Sequence, residues 1–159
     1  MPSRVAFSVN DFCDVPPRIC TAVLKQLDDN SNDVQTIAVK CLGILLKKVQ
    51  QAQVCEHSYS HLNSWGVVFF CPFVKVGEIC DKLCQLILEG KDELRDIYAI
   101  GLKTLIAVVP EEMGQLVADR LAYRLMGGIL QSANNDIKQE CLENMTDLLR
   151  RFGHLIERE

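Results

Sequence analysis

The feature that most restricts how this chain can fold is a helical hydrophobic period that breaks at short polar turns and then resumes. Behind Pro16-Pro17, where a helix start tolerates a missing amide N–H, Ile19, Val23 and Leu27 stand four residues apart. The run stops in Asp28-Asp29-Asn30-Ser31-Asn32-Asp33, residues whose side chains bond nearby backbone and so favour turns and N-caps. A second stripe follows through Val34, Ile37, Ala38, Cys41, Leu42, Leu45 and Val49. The alternation returns at residues 76–88, with Ile79, Leu83, Leu86 and Ile87, stops at Gly90-Lys91-Asp92, and restarts over 93–109 until Pro110 closes it. It returns once more over 113–131, turns at Ser132-Ala133-Asn134-Asn135-Asp136, and runs 137–152 with Gly153 as a C-terminal stop. The expected class is all-α, built from three helical hairpins at about 16–49, 76–109 and 112–153.

The hairpins superpose as copies of one unit. Val34, Ala38, Cys41 and Leu42 fall against Leu94, Tyr98, Gly101 and Leu102, and against Ile137, Cys141, Asn144 and Met145. Leu94 and Ile137 lie 43 residues apart, inside the roughly 40–47 of a HEAT or armadillo repeat. Val34 and Leu94 lie 60 apart, and the surplus sits at about 54–75, which holds the sole tryptophan, three of the six phenylalanines and two of the three histidines. Within it, residues 67–73 read as an exposed loop, or alternatively as a strand or partner-binding hook. The expected organisation is an irregular leader over 1–15 and one HEAT/armadillo-like α-solenoid domain over 16–159, interrupted by that insertion.

Composition narrows the function classes. The 159 residues are 48% hydrophobic and 24% charged, enough for a single folded core. The net charge of −4 comes without a basic block, so no nucleic-acid footprint is expected. The longest apolar run, residues 65–74, contains Pro72 and is half the length of a bilayer span of about 20 residues. No apolar leader follows Met1, and the eight cysteines sit largely at helix-core spacing, so reduced thiols in the cytoplasm and/or nucleus are expected.

Catalytic chemistry is thinly supplied. The histidines are His57, His61 and His154, the last expected just beyond the final helix. Cys55-x-His57-x3-His61 with Cys71 could supply four zinc ligands, but the spacing matches no common finger, so no metal and no cofactor are expected. Cys80 and Cys84, one turn apart beside Leu83, read as core. Asp28-Asp29 and Glu111-Glu112 read as helix-start carboxylates, and Gly127-Gly128 as a kink or close helix contact without a phosphate-cradle motif. The expected protein is not an enzyme. It is a docking surface formed by off-stripe residues of the second helices: Gln35, Lys40, Lys47 and Lys48, then Arg95, Lys103 and Thr104, then Lys138, Gln139 and Arg150.

Two strings carry a more specific signal: Asp33-Val34-Gln35-Thr36-Ile37-Ala38-Val39-Lys40-Cys41-Leu42-Gly43, and Glu93-Leu94-Arg95-Asp96-Ile97-Tyr98-Ala99-Ile100-Gly101-Leu102-Lys103-Thr104. Both resemble the N-terminal HEAT repeats of the cullin-associated and neddylation-dissociated proteins, and Ile137-Lys138-Gln139-Glu140-Cys141-Leu142-Glu143 is similar to that family's next repeat. The resemblance covers about 17–50 and 76–153 and implies a short or fragmentary form. It also implies a non-enzymatic solenoid that binds an unmodified cullin with its RING subunit and regulates assembly of SCF-type cullin–RING ubiquitin ligases. The alternatives are a generic HEAT scaffold with an unrelated protein partner, and a zinc-binding protein using the inserted Cys/His segment.

Overall fold

A computed structural model describes residues 15–56 and 75–156. Among the described residues six α-helices follow one another: α1 (Val15–Gln26), α2 (Asn32–Glu56), α3 (Val76–Glu89), α4 (Arg95–Val108), α5 (Gly114–Gln131) and α6 (Asn135–Ile156). Short 3-10 turns, Asp92–Leu94 and Glu111–Met113, lead into α4 and α5. Among the described residues there is no strand, and no helix is long and apolar enough to cross a membrane. Helices pair as α1 with α2, α3 with α4 and α5 with α6, while α2, α4 and α6 also pack side by side and α3 packs on α5. The expected all-α hairpin stack is the observed architecture.

Two helix ends differ from the sequence reading. Helix α2 continues to Glu56, past Val49 and into the segment expected to break the period. Gln50, Gln51, Ala52 and Gln53 have good helix propensity, and an existing helix elongates without needing an apolar stripe. Helix α6 runs through Gly153 to Ile156, because Leu155 and Ile156 still pack on the core. His154 therefore lies inside the last turn, exposed near the negative end of the helix dipole, rather than beyond the helix. Residues 1–14 of the leader expected over 1–15 and the loop, strand or hook expected within 67–73 lie outside the described residues, as do His57, His61 and Cys71 of the candidate zinc set and the side chain of Cys55, while Val15 already begins α1.

One apolar cluster runs through all three hairpins, with Leu27, Leu42, Leu83, Ile87, Tyr98, Leu102, Leu105, Leu121, Leu125, Leu148 and Phe152 fully buried or nearly so. Each such side chain contributes roughly 1.5–3 kcal/mol over leaving it exposed. Small residues set how closely helices approach. A Cβ on Gly101 of α4 would stand 2.6 Å from Val39 Cγ1 of α2, and one on Gly128 of α5 would stand 2.5 Å from Cys141 Sγ and 2.7 Å from Leu88 Cδ2. Gly128 is thus the close helix contact read from the sequence, whereas its neighbour Gly127 has nothing within 4 Å of a Cβ position.

Polar residues finish the ends of the helices. No described glycine has positive φ, so no left-handed glycine closes any described helix. Arginines serve instead: Arg95 Nε donates to Ile87 O at 3.0 Å, and the Arg151 guanidinium donates to Ile106 O and Val109 O. A cation on the last carbonyls of a helix satisfies orphan acceptors and complements the dipole. The turns are tied as well. Ser31 N–H donates to Asp29 Oδ1 at 2.8 Å, and Asn32 Nδ2 reaches across to Glu93 Oε2 at 2.7 Å. Lys91 Nζ bonds Asn30 O at 2.8 Å and Asn32 Oδ1 at 2.7 Å.

Cys80, Cys84 and Cys141 are fully buried, so the Cys80/Cys84 pair is core. Desolvation pushes the thiols of Cys80 and Cys84 up to about 12 and that of Cys141 up to about 11. In native protein at pH 8, alkylation followed by peptide mapping should leave these three unlabelled, because the reactive thiolate is suppressed and the sulfurs are inaccessible. Rapid labelling of any of them would contradict the packing. The adjacent glycines give a second test. Gly127→Ala should raise the unfolding free energy by about 0.5–1 kcal/mol through helix propensity. Gly128→Ala should lower it by about 1–3 kcal/mol through overpacking, both read by urea denaturation.

Candidate protein-binding surface

The second helices alone can present a continuous side-chain array, since they lie side by side from α2 through α4 to α6. Their register places Thr36, Asp96 and Gln139 in one row, Lys40, Ile100 and Glu143 in the next, then Gly43, Lys103 and Thr146, and finally Lys47, Ala107 and Arg150. Lys40, Lys47, Ile100, Ala107, Gln139, Glu143, Thr146 and Arg150 are exposed. Lys40 and Lys47 of α2, Lys103 of α4 and Arg150 of α6 supply the cations of these rows, with Ile100 lying between Lys40 and Glu143.

Two of the residues expected on this face are elsewhere. Gln35 and Arg95 are each only 5% exposed. The Gln35 side-chain amide donates to Asp29 O, and its Oε1 accepts from the Tyr98 hydroxyl, so it braces the α1–α2 turn against α4. Arg95 closes the end of α3 and pairs with Asp92. The sequence pattern points both outward because it shows a single buried stripe on each helix. A second helix of a stack is buried against its own hairpin partner and against the neighbouring second helix, which widens the covered arc. Tyr98, a phenol on an apolar stripe, was the readable sign that a buried polar partner must face it.

The remaining residues divide by how free their charges are. Lys40 and Lys47 are exposed without a described partner, while Lys138 is half-buried. The Lys48 side chain lies outside the described residues. Lys103 is paired with Glu143 of α6, joining two hairpins across the face. Their hydrogen bond raises the Lys103 ammonium and lowers the Glu143 carboxyl, which also accepts from Gln139. The carboxyl's share of this stabilisation is present above its unfolded range and is lost as pH falls through the depressed folded value. Thr104 donates to Ile100 O within its own helix, and Arg150 pairs with Asp147 one turn away at 2.9 Å while staying exposed.

An open groove of about 410 Å³ runs along Leu88, Tyr123, Arg124, Gly127, Gly128, Gln131, Ser132 and Ile137, without a carboxylate or histidine. Among the described residues, no three or more His, Cys, Asp or Glu side chains cluster so as to hold a metal ion. Asp28 and Asp29 serve structure, Asp28 pairing with Lys82 and Asp29 capping Ser31, while Glu111 and Glu112 form the turn that starts α5.

No family model matches the chain. Curated proteins do. The cullin-associated NEDD8-dissociated protein 1 of Arabidopsis thaliana is 33% identical over 144 residues, covering 90% of this chain and 10% of that protein. Protein 1 of Dictyostelium discoideum is 35% identical over 144 residues, covering 86% and 10%, and protein 2 of Rattus norvegicus is 30% identical over 145 residues, covering 88% and 10%. The chain therefore spans about a tenth of the length of the relatives it matches. Across nearly all of its own length, with the same hairpin stack that its two most specific strings implied, this chain belongs to the family of cullin-associated NEDD8-dissociated proteins, as the counterpart of one segment of them.

Proposed function

We propose that this chain is a non-enzymatic cullin-binding module, acting in the cytoplasm or nucleus, that regulates assembly of cullin–RING ubiquitin ligases. The observation that carries this reading is the homology over about nine-tenths of the chain to proteins named for association with cullins. The fold is consistent with it: a stack of second helices offers an extended wall suited to many modest polar contacts, and no cleft gathers an acid, a base or a nucleophile among the described residues.

On this reading the partner is a cullin free of the ubiquitin-like modifier, together with its RING subunit. Contact is made by the outward rows of α2, α4 and α6. Lys40, Lys47 and Arg150 meet acidic groups of the partner, Ile100 supplies the apolar centre, and Lys103 and Lys138 lie beside them. Gln35 and Arg95 contribute only by holding the helices in place. Charges at such a surface steer association and set its salt dependence more than they set the final affinity.

In a pull-down with unmodified cullin bound to its RING subunit, the chain should be retained at micromolar concentration. The triple charge reversal Lys40→Glu, Lys47→Glu, Arg150→Glu should weaken binding by about tenfold or more and flatten its salt dependence. Failure to bind the cullin, with an unbiased screen returning only unrelated partners, would favour a general helical scaffold instead.

A further inference from the structure

The first helices of successive hairpins share a register, and one stretch of α5 departs from it. Gly77, Cys80, Cys84 and Ile87 of α3 stand 41 residues before Ala118, Leu121, Leu125 and Gly128 of α5, and all eight are buried. The same step sets Glu78, Gln85 and Glu89 against Asp119, Met126 and Leu130, and all six are exposed. Gln85 and Glu89 stay exposed although α5 packs beside α3. Exposure at Met126 and Leu130 therefore belongs to their place on a first helix and would survive a further hairpin packed in the same way. On α3 those positions are polar. On α5, Met126 is 50% and Leu130 73% exposed, and Tyr123, one turn before Met126, is 85% exposed. Three large apolar side chains along two turns of a water-facing ridge mark an interaction site.

Beside this ridge the open groove of about 410 Å³ lies between α3 and α5. It forms where Gly127 and Gly128 hold the positions that Leu86 and Ile87 fill on α3. Packing requires Gly128, whose Cβ would meet Cys141 and Leu88. Packing does not require Gly127, whose Cβ would meet nothing within 4 Å, yet glycine inside a helix costs about 0.5–1 kcal/mol relative to alanine. Its missing side chain keeps the floor between Leu88 and Tyr123 open. The charge at the groove is one-sided. Asp81 is shared by Arg120 Nη1 at 2.6 Å and Arg124 Nη2 at 3.4 Å, so one carboxylate serves two guanidiniums and one positive charge is left over. Arg124, the more loosely held of the two, lines the groove, and no carboxylate does.

We propose that this groove docks a protein segment in which a bulky apolar side chain is followed by a carboxylate. The apolar side chain packs over Gly127 between Leu88 and Tyr123, Met126 and Leu130 extend the contact along the ridge, and the carboxylate meets Arg124. The site belongs to the first helices, whereas the rows assigned to the cullin belong to the second helices, so the two surfaces can be occupied and tested separately.

The probes are hexapeptides of glycine and serine that carry one leucine, phenylalanine or tryptophan followed by glutamate. Titrated into the isotope-labelled chain and followed by NMR, at least one should bind with a Kd below about 1 mM and move the amides of Leu88, Gly127, Gly128 and Ser132. Lysine in place of the probe's glutamate should weaken binding by about tenfold or more, and Arg124→Gln should erase that difference. Gly127→Leu should weaken binding by about tenfold or more without lowering the urea midpoint, because its side chain enters open space. Gly127→Ala should act in the same direction by less. Lys47→Glu, on the second-helix rows, should leave probe binding unchanged. Absence of binding by every probe, shifts that map away from the groove, equal binding of the lysine probe, or wild-type binding by Gly127→Leu would each overturn the proposal.

Discussion

The architecture depends on second helices approaching closely enough for their side chains to interlock sideways. That approach is permitted where one helix carries almost no side chain. Gly101 lets α4 come against Val39 of α2, and Gly128 lets α5 nest between Leu88 and Cys141. With those gaps closed, the buried residues of three hairpins merge into one cluster instead of three small ones. A lone helical hairpin cannot bury its apolar face, so this merging makes each unit stable in the company of the next. The buried polar contacts are subordinate to it. The Gln35 to Tyr98 bond and the arginines on the ends of α3 and α4 satisfy groups that the packing has removed from water.

Much of this was readable from residue order, and the omissions have a common physical cause. The helical class, the three hairpins and their common register followed from apolar residues three and four apart and from Asx-rich turns. Helix ends were less readable. Gly90 does cap its helix after Glu89, in extended rather than left-handed backbone, whereas α6 passes through Gly153 because apolar residues beyond it still reach the core. Elongation of α2 to Glu56 rested on propensity, which an amphipathic pattern does not record. The outward face was misjudged at Gln35 and Arg95 because their burial comes from a neighbouring turn and a neighbouring helix end. Contacts of that kind depend on the tertiary arrangement and leave little trace in local periodicity.

What emerges is a wall of second helices, and the open groove described along Leu88 and Tyr123 holds no carboxylate or histidine. Its outward rows bring unpaired lysines, a neutralised Lys103–Glu143 bridge and Ile100 onto neighbouring second helices, an arrangement suited to a broad, mainly polar contact. The buried cysteines, whose thiols desolvation holds well above the usual range, are part of the packing. Kinship with the cullin-associated proteins gives that wall a candidate partner.

The interlock itself is measured most directly by a double-mutant cycle between Val39 and Gly101. Gly101→Ala should destabilise the native chain, because its new methyl meets Val39 Cγ1. In a Val39→Ala background the methyl has room, so the same substitution should cost at least about 1 kcal/mol less, a coupling typical of residues in contact. Additive effects, with a coupling indistinguishable from zero, would mean that α2 and α4 do not meet at these residues.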